Sequence, residues 1–145
     1  LNIGYMMIKY IKGDLLRSDS EVIGHQCNLY HTFGAGIAYQ IKDLYPEASI
    51  ADLNTIKGDT RKLGFFSKTS VWRQRTNNFL TIYNLYGQKY YGSNQRQTSY
   101  DALFNALVNM REDIEETNSK WPYTSFPRLG AGLGGGDWKI IEQLL

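Results

Sequence analysis

Short apolar runs alternate along this chain with longer stretches whose apolar residues recur at helical spacing. Residues 6–11 and 21–28 are brief, apolar and β-prone, so each predicts a strand, and Gly24 inside the second predicts a close approach by another group. Ile37, Ile41, Leu44 and Tyr45 recur at i, i+4, i+7 and i+8, which predicts an amphipathic helix ended by Pro46. A shorter helix is expected over 48–57, with Ile50, Leu53 and Ile56 along one side and Gly58 and Asp59 ending it. Residues 63–72 and 79–86 predict two strands, and the polar 73–78 segment between them predicts a hairpin. Gly87 and Gln88 open a polar loop, after which Thr98 and Ser99 offer an N-cap to a helix over 100–116. Leu103, Leu107, Met110 and Ile114 give that helix one apolar stripe, which is core. A buried strand over 123–129 and a last helix over 138–145 complete the pattern.

Strands interrupted by helices, with one hairpin among them, predict an α/β fold of three layers, α/β/α, around a mixed central sheet. Ligands of such sheets sit beyond the carboxyl ends of the strands. Asp14, Asn28, the glycines from Gly34, Gln88 and the glycines from Gly130 all fall at such ends.

With 145 residues the chain is expected to form a single domain over 1–145, large enough to bury a core without staples. A net charge of +2 is too small to argue for nucleic acid by itself, and the 11 tyrosines suit either strand faces or ligand-stacking surfaces. Cys27 stands alone, which excludes an internal disulfide and suits a reducing, cytoplasmic setting. No signal peptide or bilayer-length apolar run is present, so no membrane partner is expected, and a monomer is. The sequence opens on Leu1 rather than Met.

The densest feature is the run Leu129, Gly130, Ala131, Gly132, Leu133, Gly134, Gly135, Gly136 and Asp137, placed between the last strand and the last helix. Backbone without Cβ atoms can turn several N–H groups toward one anion, and a following helix start adds its own unpaired N–H groups. This predicts a loop that wraps a phosphate or diphosphate; a plain surface turn is the other use of such glycines. Gly130, Gly132 and Gly135 fit the dinucleotide spacing, but the second strand and acidic residue that fingerprint needs have no room to follow. A Walker loop is excluded because Asp137 and Trp138 stand where Lys and Ser/Thr belong. Gly34, Ala35, Gly36 and Ile37 repeat the strand–glycine–helix arrangement, so two loops can grip one diphosphate from both sides.

Several motifs in one order resemble those of the macro domain, the fold that binds ADP-ribose. They are Lys12 to Leu15 (KGDL), Gly24 to Asn28 (GHQCN), Gly34 to Ala38 (GAGIA), Asn84 to Gln88 (NLYGQ), Ser99 to Leu103 (SYDAL) and the Pro127 to Trp138 loop. They cover nearly the whole chain, and they are most similar to the branch of ADP-ribose 1″-phosphate phosphatases. Terminal ADP-ribose glycohydrolases and the DNA ADP-ribosyl glycohydrolase antitoxins stand nearby. The resemblance implies that Asp14 accepts from the adenine amine, with Leu15 and Ile23 near the ring. It implies that the Gly34–Ile37 turn and the Gly130–Gly136 loop hold the diphosphate and distal ribose, with Asn28 beside that ribose. The glycohydrolases use a lysine where this chain has Gln88, with Lys89 one position on, and the terminal glycohydrolase has an aspartate at the position of Gly134. The resemblance therefore implies hydrolysis of ADP-ribose 1″-phosphate, without cofactor or metal. A non-catalytic ADP-ribose module, or removal of ADP-ribose from protein or nucleic acid, are the alternatives. The family's final strand is expected to be missing.

Four residues are candidates for the chemistry. His31 can act as acid or base, or merely pack. Asp137 can act as base or ribose ligand, or cap the last helix. Asn28 and Gln88 carry no protons and can only orient a water or phosphate oxygen. His25, Cys27 and His31 lack a fourth metal ligand, and a buried Cys27 is inert. Tyr90, Tyr91 and Arg96 offer a modest base-stacking patch, with Arg73 and Arg75 on the hairpin.

Overall fold

The computed structural model describes residues 10–90 and 98–128. The expected first strand therefore lies almost wholly outside the described residues, and so do the last strand's end at Leu129, the glycine loop Gly130–Gly136, Asp137, the final helix, Tyr91 and Arg96.

A 3-10 turn, Leu15–Arg17, leads into β1 (Val22–Cys27). Helices α1 (Gly36–Leu44) and α2 (Pro46–Leu53) follow, then the hairpin strands β2 (Phe66–Arg73) and β3 (Asn78–Tyr86). Helix α3 (Tyr100–Thr117) and the short β4 (Thr124–Ser125) close the described part. The strands lie in the order β2-β3-β1-β4; β1 runs parallel to β3 and β4, while β2 is antiparallel to β3, so the sheet is mixed as expected.

Each face of the sheet has its own cluster. Ile23, Cys27, Leu80, Ile82 and Tyr86 join Leu29, Phe33, Ile41 and Ala48 beneath α1 and α2. Val22, Tyr83 and Leu85 join Leu103, Ala106, Met110 and Ile114 of α3. Central β1 is thus buried on both sides, with polar His25 enclosed and only Gln26 partly exposed. Gly24 does mark a close approach: a Cβ there would come within 2.8 Å of the Phe126 ring. Ser99 caps α3 by accepting from the Ala102 N–H at 3.2 Å.

Several boundaries differ from expectation. Pro46 both stops α1 and starts α2, where its missing N–H costs nothing at the first position. Helix α2 presents Ala48, Ser49 and Asp52 inward, whereas Ile50, Leu53 and Ile56 are 54%, 56% and 65% exposed. Leu44 is also exposed, so the inward stripe of α1 rests on Ile41, with Ile37 and Tyr45 partly covered. Residues 63–65 form a turn rather than strand, because Gly64 takes φ +86°.

Candidate functional site

Register decides what meets at the carboxyl ends of the parallel strands. Cys27 pairs with Tyr86, so Asn28 and Gly87 are the next positions on β1 and β3. The loops stay joined beyond the strands, since Leu29 N–H donates to the Lys89 carbonyl at 3.2 Å and the Tyr30 and Tyr90 rings stack at 5.4 Å. Asn28 is 8% exposed. Its Oδ1 accepts from the Tyr30 N–H at 2.8 Å and its Nδ2 donates to Thr32 Oγ1, so the side chain shapes the turn. Gln88 is held from two sides: Oε1 accepts from Gln26 Nε2 at 2.6 Å, and Nε2 donates to the Tyr90 carbonyl at 2.7 Å. A Cβ at Gly87 would collide with Gln26 Oε1, so Gly87 is what lets Gln26 reach forward. Lys89 turns its ammonium over the Tyr90 ring, 5.1 Å from the centroid.

Gly34, Ala35 and Gly36 are exposed and lead directly into α1. Ala35 is the N-cap and has no side chain with which to cap, and Gly36 adopts φ +59°. Among the described residues, then, no side-chain cap serves the first-turn N–H groups, which have no helical acceptor either. A Cβ added at Gly34 meets nothing within 4 Å, so packing against described residues does not demand this glycine.

The other anticipated residues are more scattered. Asp14 caps the 3-10 turn, accepting from the Leu16 N–H at 3.0 Å, and its other oxygen stands 3.7 Å from Arg17 Nε. Leu15 packs against the cluster beneath α1 and α2, and Ile23 is inside that cluster at 1% exposure. His31 adopts φ +60°, and its Nε2 reaches Thr55 Oγ1, just after α2, at 3.3 Å. Within the described residues, then, Asn28 and Gln88 meet at the carboxyl ends of β1 and β3, and the Gly34–Ile37 turn follows Asn28 along the chain into α1.

Behind them runs a buried chain of hydrogen bonds that the sequence did not advertise. Asn84 Nδ2 donates to the Ala48 carbonyl at 2.9 Å and to Ser67 Oγ at 3.0 Å, so its Oδ1 faces His25 Nε2 at 2.7 Å and receives that ring's proton. Ser67 Oγ and Tyr86 OH are 2.8 Å apart, and the Tyr86 hydroxyl donates to Asp52 Oδ1 at 2.7 Å. Burial lowers the His25 pKa to about 4, only partly offset by the bond to Asn84. Burial, followed by the nearby Asp52, raises the Cys27 thiol, which keeps it an inert core side chain. Burial and the bond to Asp52 likewise hold the Tyr86 hydroxyl protonated. The sequence does not reveal Asp52, because the apolar spacing of Ile50, Leu53 and Ile56 predicts the opposite inward face for its helix.

Lys62 links this chain to the loop after β1. Its ammonium donates to the Leu29 carbonyl at 3.0 Å and Thr55 Oγ1 at 2.9 Å, and lies 5.0 Å above the Tyr86 ring. Burial lowers its pKa in spite of Asp52 and Asp59. The Leu29 carbonyl also receives the Gly58 N–H at 2.6 Å, so one acceptor ties the loop to two points beyond α2. No helix among the described residues is long and apolar enough to cross a membrane.

No family model matches the sequence. An uncharacterized 17.5 kDa protein of Enterobacteria phage T4 is 38% identical over 97% of this chain and 88% of its own length. A DNA ADP-ribosyl glycohydrolase of Mycobacterium bovis is 32% identical over 96% of this chain, which spans 38% of that longer protein. An ADP-ribose 1″-phosphate phosphatase of Debaryomyces hansenii is 26% identical over 96% of this chain and 92% of its own length. Among solved structures, the macrodomain of Mycobacterium tuberculosis DarG superimposes with a TM-score of 0.76 at 29% identity, covering 94% of this chain and 86% of that one. With the mixed sheet, and with the DarG macrodomain matched along nearly its whole length, this chain belongs to the macrodomain family.

Proposed function

We propose that this protein binds ADP-ribose at the carboxyl ends of β1 and β3 and hydrolyses ADP-ribose 1″-phosphate to ADP-ribose and phosphate. The observation that carries this reading is the exposed Gly34–Ala35–Gly36 turn at the start of α1, which has no capping side chain among the described residues. Unpaired N–H groups with a helix dipole behind them suit a diphosphate. The second loop of the pair, Leu129 to Gly136, and Asp137 enter the proposal from the sequence alone, as do the adenine contacts of Asp14, Leu15 and Ile23. Asn28 and Gln88 orient the distal end, and His31 is the candidate proton carrier. Gln88 favours phosphate removal over glycosidic cleavage: it has no nucleophilic amine, and Gln26 and the Tyr90 carbonyl hold it in place.

A second reading, removal of ADP-ribose from DNA, is favoured by the 32% identity with the Mycobacterium bovis glycohydrolase and by Lys89, whose ammonium lies at the Tyr30–Tyr90 stack beside the site. The two are separated by supplying ADP-ribose 1″-phosphate and ADP-ribosylated single-stranded DNA in parallel. Phosphate release that persists in Lys89→Ala supports the first. Release of ADP-ribose from DNA that is lost in Lys89→Ala supports the second. Binding of ADP-ribose with neither reaction would leave a recognition module for ADP-ribosylated protein or nucleic acid.

A further inference from the structure

Three groups converge on the Thr55 hydroxyl, and only one arrangement of protons satisfies them. Thr55 Oγ1 is 2.6 Å from the Asp52 carbonyl, which can only accept, so the hydroxyl proton lies there. Lys62 Nζ, 2.9 Å from the same oxygen, can only donate. The oxygen's remaining lone pair faces His31 Nε2 at 3.3 Å, and that nitrogen can meet it only as a donor. In the neutral ring Nδ1 is then the bare nitrogen, and it has no hydrogen-bond partner among the described residues. We propose that Thr55 and Lys62 are positioning residues that hold His31 in its Nε2–H tautomer, making Nδ1 the nitrogen that takes the proton during hydrolysis.

The backbone is arranged to keep the ring there. His31 adopts a left-handed φ of +60°, a conformation that non-glycine residues hold only where their surroundings enforce it. Those surroundings are the Leu29 carbonyl, clamped by Gly58 N–H and Lys62, and the Asn28 side chain, which closes the turn on Tyr30 and Thr32. Thr55 itself is fixed at the end of α2, its N–H donating to the Asp52 carbonyl at 3.0 Å. The histidine is thus aligned from behind by α2 and the segment after it.

The role in hydrolysis rests on the proposed phosphatase reading; the tautomer does not. As water oxygen bonds to phosphorus, its proton passes to Nδ1. As the bond from phosphorus to the ribose oxygen breaks, the same proton is returned to that departing oxygen, giving ADP-ribose, inorganic phosphate and neutral His31. The Nε2 proton stays with Thr55 throughout.

The test is long-range nitrogen–proton NMR of the imidazoles at pH 7.5, with the rate of phosphate release measured on the same samples. The chain has two histidines. His25 serves as the internal standard, because Asn84 imposes the Nε2–H form on it too. Wild type and Thr55→Ser are expected to show His31 protonated on Nε2. Thr55→Val, which removes the acceptor, is expected to show mixed tautomers and a rate about tenfold lower, with ADP-ribose affinity unchanged. His31→Ala is expected to lose on the order of 100-fold in rate. A wild-type His31 protonated on Nδ1, or a Thr55→Val protein with unaltered tautomer and rate, would overturn the proposal. Absence of phosphate release from wild type, with the Nε2–H form intact, would overturn the proton-transfer role and the phosphatase reading while leaving the positioning assignment standing.

Discussion

Against one face of the sheet, α3 lays Leu103, Ala106, Met110 and Ile114 over Tyr83 and Leu85, an interface whose fully buried part is apolar, with polar contacts of Asp113 to Tyr83 and Lys68 and of Asn109 to the Gly64 carbonyl only at its less buried margin. Against the other, α2 lays Ala48, Ser49 and Asp52 over Ser67, Asn84 and Tyr86, and hydrogen bonds run from His25 to Asp52 through the contact. Both faces are buried, but they do different work. An apolar contact tolerates small sliding because it has no direction, whereas a buried polar chain fixes distance and orientation together. The face that needs fixing is the one that carries the glycine turn and His31. Polar groups on the α2 side thus register the helix, and the helix end registers the loop.

The largest effect is expected where the apolar face is emptied. Leu103→Ala should destabilise the protein by about 2–5 kcal/mol, read from chemical denaturation, while ADP-ribose affinity of the folded fraction stays within about twofold. A large loss of affinity in a folded Leu103→Ala protein would mean that the two faces are not independent.

The polar face should reveal itself through pH. His25 is neutral in the folded protein down to about pH 4 but takes up a proton near pH 6.5 once unfolded. Between those values the unfolded chain binds more protons, so stability should fall as pH drops from about 6.5 to about 4, by on the order of 3 kcal/mol, and gain no further loss from this group below that. Urea midpoints across that range, compared with His25→Gln, isolate the contribution; equal slopes in both proteins would contradict the buried neutral histidine.

Smaller changes sharpen the contrast. Gly24→Ala pushes a methyl group against the Phe126 ring edge, which can shift, so a cost of about 1 kcal/mol is expected in thermal or urea unfolding. Leu53→Ser should change stability by no more than about 0.5 kcal/mol, because the side chain faces outward. A loss of several kcal/mol there would put the apolar side of α2 in a core.

These two faces were also unequally legible in the sequence. The α3 stripe, its Ser99 cap and the hairpin could be read directly, since periodicity and capping report local geometry. The orientation of α2 could not: Ile50 and Leu53 satisfy the helical period, yet the strands beneath carry Asn84, Ser67 and Tyr86 and call for polar partners. That demand arises only once β2 and β3 are paired. The same holds for the site. Asn28, Gln88 and the Gly34 turn follow from strand ends and glycine placement, whereas Gln26, Thr55 and Lys62 act through contacts between distant segments and have no motif of their own.

The most direct measurement is calorimetric titration of ADP-ribose into wild type and Gly34→Glu at one salt concentration. The space around Gly34 admits a side chain without disturbing described residues, so the variant should fold as wild type does while placing a carboxylate where the diphosphate is proposed to sit. Saturable binding by wild type, lost in a folded Gly34→Glu, is the predicted result. Equal affinity in the two proteins, or no binding by wild type, would contradict an ADP-ribose site at the start of α1.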